Sequence, residues 1–212
     1  MSLKENLTKI KDQIRETENE TKNPGKVKLI AVTKTRDFQT INKAYECGVT
    51  SIGENRVQEA ESKFESFQNM PNLEKRFIGH LQSNKVKRCL ALFDTIDSVN
   101  SLKIAKKINN HLTQENRKIK SLLEVNMSGD EQKQGFSPEN IDDLILAISL
   151  EPLGVEGLMT IGPVSRNEKE TRKAFSDLRK LKEKLNKEIK KESLIELSMG
   201  MSGDFKIGIQ EG

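Results

Sequence analysis

The chain has 212 residues, enough for one large domain whose hydrophobic core needs no metal or disulfide support. Hydrophobic residues make up 34% and charged residues 32%, and 36 Lys and Arg against 32 Asp and Glu give a net charge of +4. The two signs are mixed along the chain, which argues against a dedicated nucleic-acid-binding arm, and no apolar run approaches the roughly 20 residues that span a bilayer.

Apolar, β-prone segments alternate with amphipathic segments along the chain, as in parallel β/α folds. Leu3, Leu7, Ile10 and Ile14 predict a first helix, which Asn23-Pro24-Gly25 ends. Seven strands are predicted after it, over residues 27–33, 50–53, 76–79, 92–96, 119–125, 153–161 and 194–198. Helices are predicted over residues 38–46, 56–67, 84–91, 101–112 and 141–150, after Ser165 through Ile189, and over 205–210.

Three helix ends carry local signals. Gly48 is expected to end the helix over residues 38–46, because glycine adopts the left-handed backbone of a C-terminal cap. Ser137 followed by Pro138 predicts the start of the helix before 141–150. Ser165, with Glu168 three residues later, predicts a capping box.

Two architectures fit this pattern, an open doubly wound sheet and a (β/α)₈ barrel. No linker or repeat interrupts the chain, so we predict a single domain over residues 1–212, with residues 1–25 forming a helix before the first strand. A closed barrel requires eight strands, one more than the seven predicted.

Ligands bind at the carboxyl ends of the strands in both architectures, and small polar residues follow nearly every predicted strand. Lys34 follows the first strand, where a protein-lined mouth is expected to desolvate its amine and favour the neutral, nucleophilic form. Such a lysine forms Schiff bases with carbonyl compounds. The alternative is an ordinary lysine that extends from a strand end into water.

The segment 198–204, Ser-Met-Gly-Met-Ser-Gly-Asp, follows the seventh strand. Its backbone N–H groups can hold a phosphate, and barrels commonly build a phosphate site after strands 7 and 8. The alternative is a tight turn that needs glycine. His80 is a candidate acid or base, although a histidine without a partner in the sequence is more often structural.

These stretches together resemble the pyridoxal phosphate homeostasis proteins, the YggS/PROSC family. The matching residues are 31–35 (Ala-Val-Thr-Lys-Thr), 53–55 (Gly-Glu-Asn) with 57–59, 77–85, 96–98, 125–128 with 133–135, 157–160 and 197–205. The resemblance implies a single α/β domain of the (β/α)₈ TIM-barrel type, similar to the barrel domain of alanine racemase. The family's last strand, with its Arg-x-Gly-Thr/Ser motif, has no counterpart here, so we expect a barrel that lacks this strand.

The resemblance also implies the cofactor and its contacts. Pyridoxal phosphate would form a Schiff base with Lys34, and Asn55 and His80 would lie at the cofactor. Ser198, Gly200 and Ser202 would contribute to the phosphate site. The family implies a protein that holds the cofactor for vitamin B6 and amino-acid homeostasis, with little or no turnover. We further expect a monomer whose partners are pyridoxal phosphate and apo pyridoxal phosphate enzymes.

Two other functions remain open. A fold-type III pyridoxal phosphate enzyme, such as an amino-acid racemase, needs a second base at the mouth, for which His80 is the candidate. A basic module could bind RNA or an acidic partner through Arg172 to Lys191, but this stretch alternates with glutamates and favours a solvated face.

The N-terminus has no apolar signal segment, and Cys47 and Cys89 lie far apart, as in a protein of the reducing cytoplasm. With His80 and His111 they supply too few neighbouring ligands for structural zinc. We therefore expect a cytoplasmic protein without a metal, a nucleic-acid partner or a membrane partner.

Overall fold

A computed structural model describes residues 2–21, 27–66, 70–130 and 133–212. The α-helices are α1 (Leu3–Thr21), α2 (Phe38–Glu46), α3 (Val57–Phe64), α4 (Val86–Leu92), α5 (Leu102–Gln114), α6 (Ile141–Ile148), α7 (Glu168–Glu188) and α8 (Phe205–Glu211). The strands are β1 (Ala31–Val32), β2 (Ser51–Glu54), β3 (Glu74–Phe77), β4 (Thr95–Val99), β5 (Lys120–Glu124), β6 (Val155–Met159) and β7 (Glu196–Ser198). Short 3₁₀ turns cover Ser83–Lys85 and Glu151–Leu153.

The strands form one parallel sheet in the order β1 to β7, each beside its neighbour in sequence. The sheet curls, because Arg76 on β3 reaches Glu196 on β7 at 3.3 Å. In a flat sheet these strands would lie four strand spacings, roughly 19 Å, apart. Helix α1, which precedes β1, packs against α8, which follows β7.

The described residues form a half-barrel rather than a closed barrel. Each of β1 and β7 pairs with one neighbour only, and no pairing joins these two strands within the described ranges. The predicted α/β fold of the barrel type, with seven strands in the described residues, is therefore confirmed.

The main core lies between the sheet and its helices. Leu123 on β5, Leu158 on β6, Ile108 on α5 and Leu178 on α7 are buried in it. A second cluster is formed by residues at the β1–β2 end of the sheet, namely Leu7, Ile41, Val49, Ile52, Met70 and Leu73. Since core residues cover the helix-facing side, the opposite strand side lines the barrel interior.

The first strand differs from its prediction. A buried strand over residues 27–33 was expected, but β1 has two residues, and the Val32 side chain is 50% exposed. The reason is its position at the edge of the sheet, where one side of the strand has no described neighbour. The other six strands overlap their predicted ranges.

Two predicted caps are wrong. Asn140, rather than Ser137, caps α6 by accepting from the N–H of Asp143. Asn167, rather than Ser165, caps α7. Ser165 instead donates to Glu170 at 2.5 Å, so the capping box does not form. Asparagine and serine are comparable N-cap residues, so residue type alone does not decide which of the two begins each helix.

The predicted role of Gly48 is confirmed, since it has a φ of +89° and its N–H bonds to the carbonyl of Tyr45 at 2.8 Å. The predicted helix ends at Asn23-Pro24-Gly25 and at Phe67 lie outside the described residues. Among the helices in the described ranges, none is long and apolar enough to cross a membrane.

Candidate functional site

The carboxyl ends of the seven strands form one continuous rim. The N–H of Thr33 bonds to the carbonyl of Gly53, which joins β1 to β2. At the other end of the sheet, the N–H of Thr160 bonds to the carbonyl of Ser198 at 3.1 Å, and its hydroxyl bonds to the carbonyl of Val125. The polar residues predicted at the strand ends therefore lie along this rim, from Lys34 at one edge to Ser198 at the other.

Lys34 occupies a four-residue turn at the end of β1. The N–H of Arg36 bonds to the carbonyl of Thr33 at 3.0 Å and closes the turn. Lys34 is exposed, so the expectation of an amine desolvated by a protein-lined mouth is wrong. The exposure follows from the edge position of β1, and it leaves the amine accessible to a ligand.

The residue after Lys34 has an unusual backbone conformation. Thr35 has a φ of +63°, the left-handed region that β-branched residues rarely adopt. This conformation costs about 1–2 kcal/mol in an L-residue. Glu59 on α3 accepts a hydrogen bond from the Thr35 N–H at 2.5 Å and holds the turn in this shape.

A buried ion network lies behind this turn. The Lys63 ammonium contacts Glu54 Oε1 at 2.9 Å, Glu59 Oε1 at 2.6 Å and the Thr33 carbonyl at 3.0 Å. Glu54 is fully buried, and Lys63 is 10% exposed. The Lys63 hydrogen bond lowers the pKa of Glu59. Burial opposes the charge of Lys63, but its two carboxylate partners outweigh burial and raise its pKa.

Asn55 and His80 lie at neighbouring strand ends. The backbone of Gly79 packs so closely against Asn55 that a Cβ on Gly79 would lie 2.2 Å from the Asn55 carbonyl oxygen. His80 is exposed, and its Nδ1 lies 3.0 Å from Asn100 Nδ2, which also donates to Gln134 Oε1 at 2.6 Å. The structure thus gives His80 an amide partner rather than a carboxylate.

The segment after β7 forms a compact turn before α8. Gly200 has a φ of +88°, and a Cβ there would lie 2.8 Å from Phe205 Cα. Asp204 accepts from the N–H of Met201 and orders the turn. The N–H groups of Ser202 and Gly203 have no acceptor among the described residues, and open space surrounds Gly203. Both residues are exposed, so two backbone donors of this turn are available to a ligand.

Glu124 is a titratable group that the sequence analysis did not identify. Leu123 beside it belongs to the helix-facing core, so strand alternation directs Glu124 to the barrel interior. Its half-buried carboxyl has no hydrogen-bond or ion-pair partner among the described residues. Burial raises its pKa to about 7. The alternation of side chains along β5 could have predicted that Glu124 faces the barrel interior. No local sequence pattern predicts that its carboxyl is buried there.

A cluster of charged side chains lies in the barrel interior. Arg76 is buried and contacts Asp97 at 2.7 Å, Glu74 at 3.1 Å and Glu196 at 3.3 Å. A small cavity of about 40 Å³ adjoins this cluster. Burial raises the pKa of Asp97 despite the nearby guanidinium. Within the ranges that the structure covers, no group of three or more His, Cys, Asp or Glu residues could hold a metal ion.

The chain matches the model of one known protein family over nearly its whole length. The model of the alanine racemase N-terminal domain matches residues 6–209. The chain belongs to this family.

Similar proteins in this family share the name pyridoxal phosphate homeostasis protein. A pyridoxal phosphate homeostasis protein of Aquifex aeolicus is 36% identical over 214 residues, which cover 100% of this chain and 93% of that protein. A protein of the same name from Synechocystis is 37% identical over 190 residues, which cover 89% of this chain and 87% of the relative. The resemblance to pyridoxal phosphate homeostasis proteins is confirmed.

Solved structures of the family have the same fold. PipY of Synechococcus elongatus with pyridoxal phosphate bound is 32% identical, with a TM-score of 0.83 and 94% coverage of both chains. An alanine racemase of Clostridium difficile is 20% identical, with a TM-score of 0.72, and covers 91% of this chain and 54% of the racemase. The racemase shows only that the fold is shared.

Proposed function

We propose that this protein binds pyridoxal phosphate at the rim through a Schiff base on Lys34 and serves pyridoxal phosphate homeostasis. The exposed amine of Lys34, on a turn braced by its neighbours, is the observation that carries the proposal. The bound cofactor supplies an aldehyde, and condensation with the amine releases water. The family relationship and the cofactor in PipY support this choice of ligand.

The rim offers groups for both ends of the cofactor. At the β7 end, the free N–H groups of Ser202 and Gly203 fit a phosphate, whose oxygens accept such bonds. Ser198 and Gly200 shape this segment, and Asn55 contributes an amide beside the Lys34 turn. Conversely, Lys63 is a poor competitor for the aldehyde, because its ammonium is held by three acceptors and its pKa is raised.

A holding role is favoured over turnover. Racemisation uses a base on each face of the substrate, and His80 has an amide rather than a carboxylate as its partner. Delivery of the cofactor to apo enzymes, a monomeric state and a cytoplasmic location also belong to this proposal.

The first experiment is a visible absorption titration with pyridoxal phosphate, followed by borohydride reduction and peptide mapping. We expect an imine band whose reduced adduct maps to Lys34 and which Lys34→Ala removes. Lys106→Ala, on the exposed face of α5, is the matched control and should retain the band. An adduct on another lysine, or no band with the unmodified protein, would refute the proposal.

One observation favours the enzyme alternative. Glu124 projects into the barrel interior from the end of β5, and a pKa of about 7 suits an acid or base at neutral pH. A racemisation assay with alanine and serine distinguishes the two functions. Turnover that Glu124→Gln abolishes would replace the holding role with an enzymatic one.

A further inference from the structure

The two sides of the Lys34 turn are held by one pair of residues from α3. On the side before Lys34, the carbonyl of Thr33 accepts from the Lys63 ammonium at 3.0 Å. On the side after it, the N–H of Thr35 donates to Glu59 at 2.5 Å. Lys63 and Glu59 are themselves joined at 2.6 Å. The pair therefore fixes the backbone around Lys34 and leaves the Lys34 side chain free.

The pair is anchored to the interior by Glu54. This fully buried carboxylate accepts from Lys63 at 2.9 Å and from the Thr33 hydroxyl at 2.7 Å. An ammonium has three donors, and Lys63 directs them at Thr33, Glu54 and Glu59. With all its donors in use, Lys63 is a rigid link between the end of β2, helix α3 and the turn.

The strained residue explains why such a link is needed. An exposed turn with a β-branched residue at φ +63° relaxes unless its surroundings hold it. The restraint at Thr35 is Glu59, whose other contact is Lys63. Loss of this restraint would allow the turn to adopt other conformations, and the backbone that carries Lys34 would move with it.

We propose that Glu59 and Lys63, anchored on Glu54, are positioning residues that hold the Lys34 turn in the conformation that captures pyridoxal phosphate. This inference rests on the proposed function. It assigns a role in ligand capture to two charged residues of α3 that do not touch the cofactor themselves.

Glu59→Ala is the decisive variant, because removal of Lys63 would leave the buried Glu54 carboxylate without its cation and could unfold the protein. We expect Glu59→Ala to weaken pyridoxal phosphate binding and to slow borohydride trapping at Lys34 by about tenfold or more. Thermal unfolding should change little, because Glu59 lies at the surface end of the network. The control is Glu61→Ala, whose carboxylate pairs with Arg88, and it should bind normally.

A second substitution tests the mechanism. Glycine adopts φ +63° without strain, so Thr35→Gly introduced into Glu59→Ala should recover most of the lost trapping rate. Glu59→Gln, which keeps an acceptor for the Thr35 N–H, should retain more binding than Glu59→Ala. A role confined to general stability would not produce either rescue.

The outcomes separate the two proposals. If the unmodified protein traps the cofactor on Lys34 and Glu59→Ala traps it equally well, the positioning role is refuted and the proposed function stands. A loss that Thr35→Gly does not recover also overturns the positioning role. If the unmodified protein traps nothing on Lys34, both proposals fail together.

Discussion

Replacement of Glu124 by glutamine should stabilise the protein at alkaline pH. The carboxyl is turned into the barrel interior without a partner among the described residues, and its pKa rises from the ordinary value of 4.5 to about 7. In the unfolded chain the same group ionises near its ordinary value. Between these two values unfolding releases a proton, so stability falls as pH rises; above about 7 the loss is complete, and below 4.5 it is absent.

The size of the effect follows from that difference. One pKa unit between the folded and unfolded states corresponds to about 1.4 kcal/mol, so the shift of Glu124 from 4.5 to about 7 sets an upper limit of about 3.5 kcal/mol. The side chain is only half-buried, and solvent reduces the penalty, so we expect Glu124→Gln to gain about 1–2 kcal/mol at pH 8.

Urea denaturation of both proteins at several pH values between 5 and 8 measures this difference. The gap between Glu124→Gln and the unmodified protein should be small at pH 5 and should widen to its full value by pH 8. Glu188→Gln, at the exposed end of α7, is the control and should show no such widening. A constant gap, or a less stable glutamine variant at pH 8, would refute the assigned burial of Glu124.

Two further substitutions and one thiol reagent test other parts of the structure. Arg76→Met should destabilise the protein by about 3–5 kcal/mol in urea unfolding, because it leaves the buried Asp97 without its cation. Gly79→Ala should cost about 1–3 kcal/mol and weaken pyridoxal phosphate binding, since its Cβ would overlap the Asn55 backbone. The thiol of Cys89 is buried, and burial raises its pKa, so it should react with a disulfide reagent only after unfolding. The half-buried Cys47 should react in the folded protein.

Alternation of strands and helices, and the polar residues at the strand ends, could be predicted from local sequence. Helix ends were predicted well where a single residue type was required. Gly48 offers the left-handed conformation at its position, and Ser101, the first residue of the helix predicted over 101–112, is the N-cap of α5. Where two suitable caps lay close together, as before α6 and α7, the sequence pattern selected the wrong one.

In the candidate site too, some features could be predicted from local sequence and others could not. Lys34 and the segment 198–204 could be identified from their residue types, but their environments could not. The exposure of Lys34 depends on β1 being an edge strand, and the contact of Glu59 with Thr35 joins residues 24 positions apart. The Glu59–Lys63 spacing does predict a helical ion pair, since residues four apart lie on one helix face.

The sequence by itself therefore determined a parallel β/α chain with a lysine at the end of its first strand and small polar residues at the other strand ends. Periodicity and residue type are local properties, and they suffice for that conclusion. Only the tertiary structure decided that the sheet curls, that Arg76 bridges its interior and that Glu124 carries a raised pKa. These features depend on which distant groups share a low-dielectric interior, and such distances are absent from any local pattern.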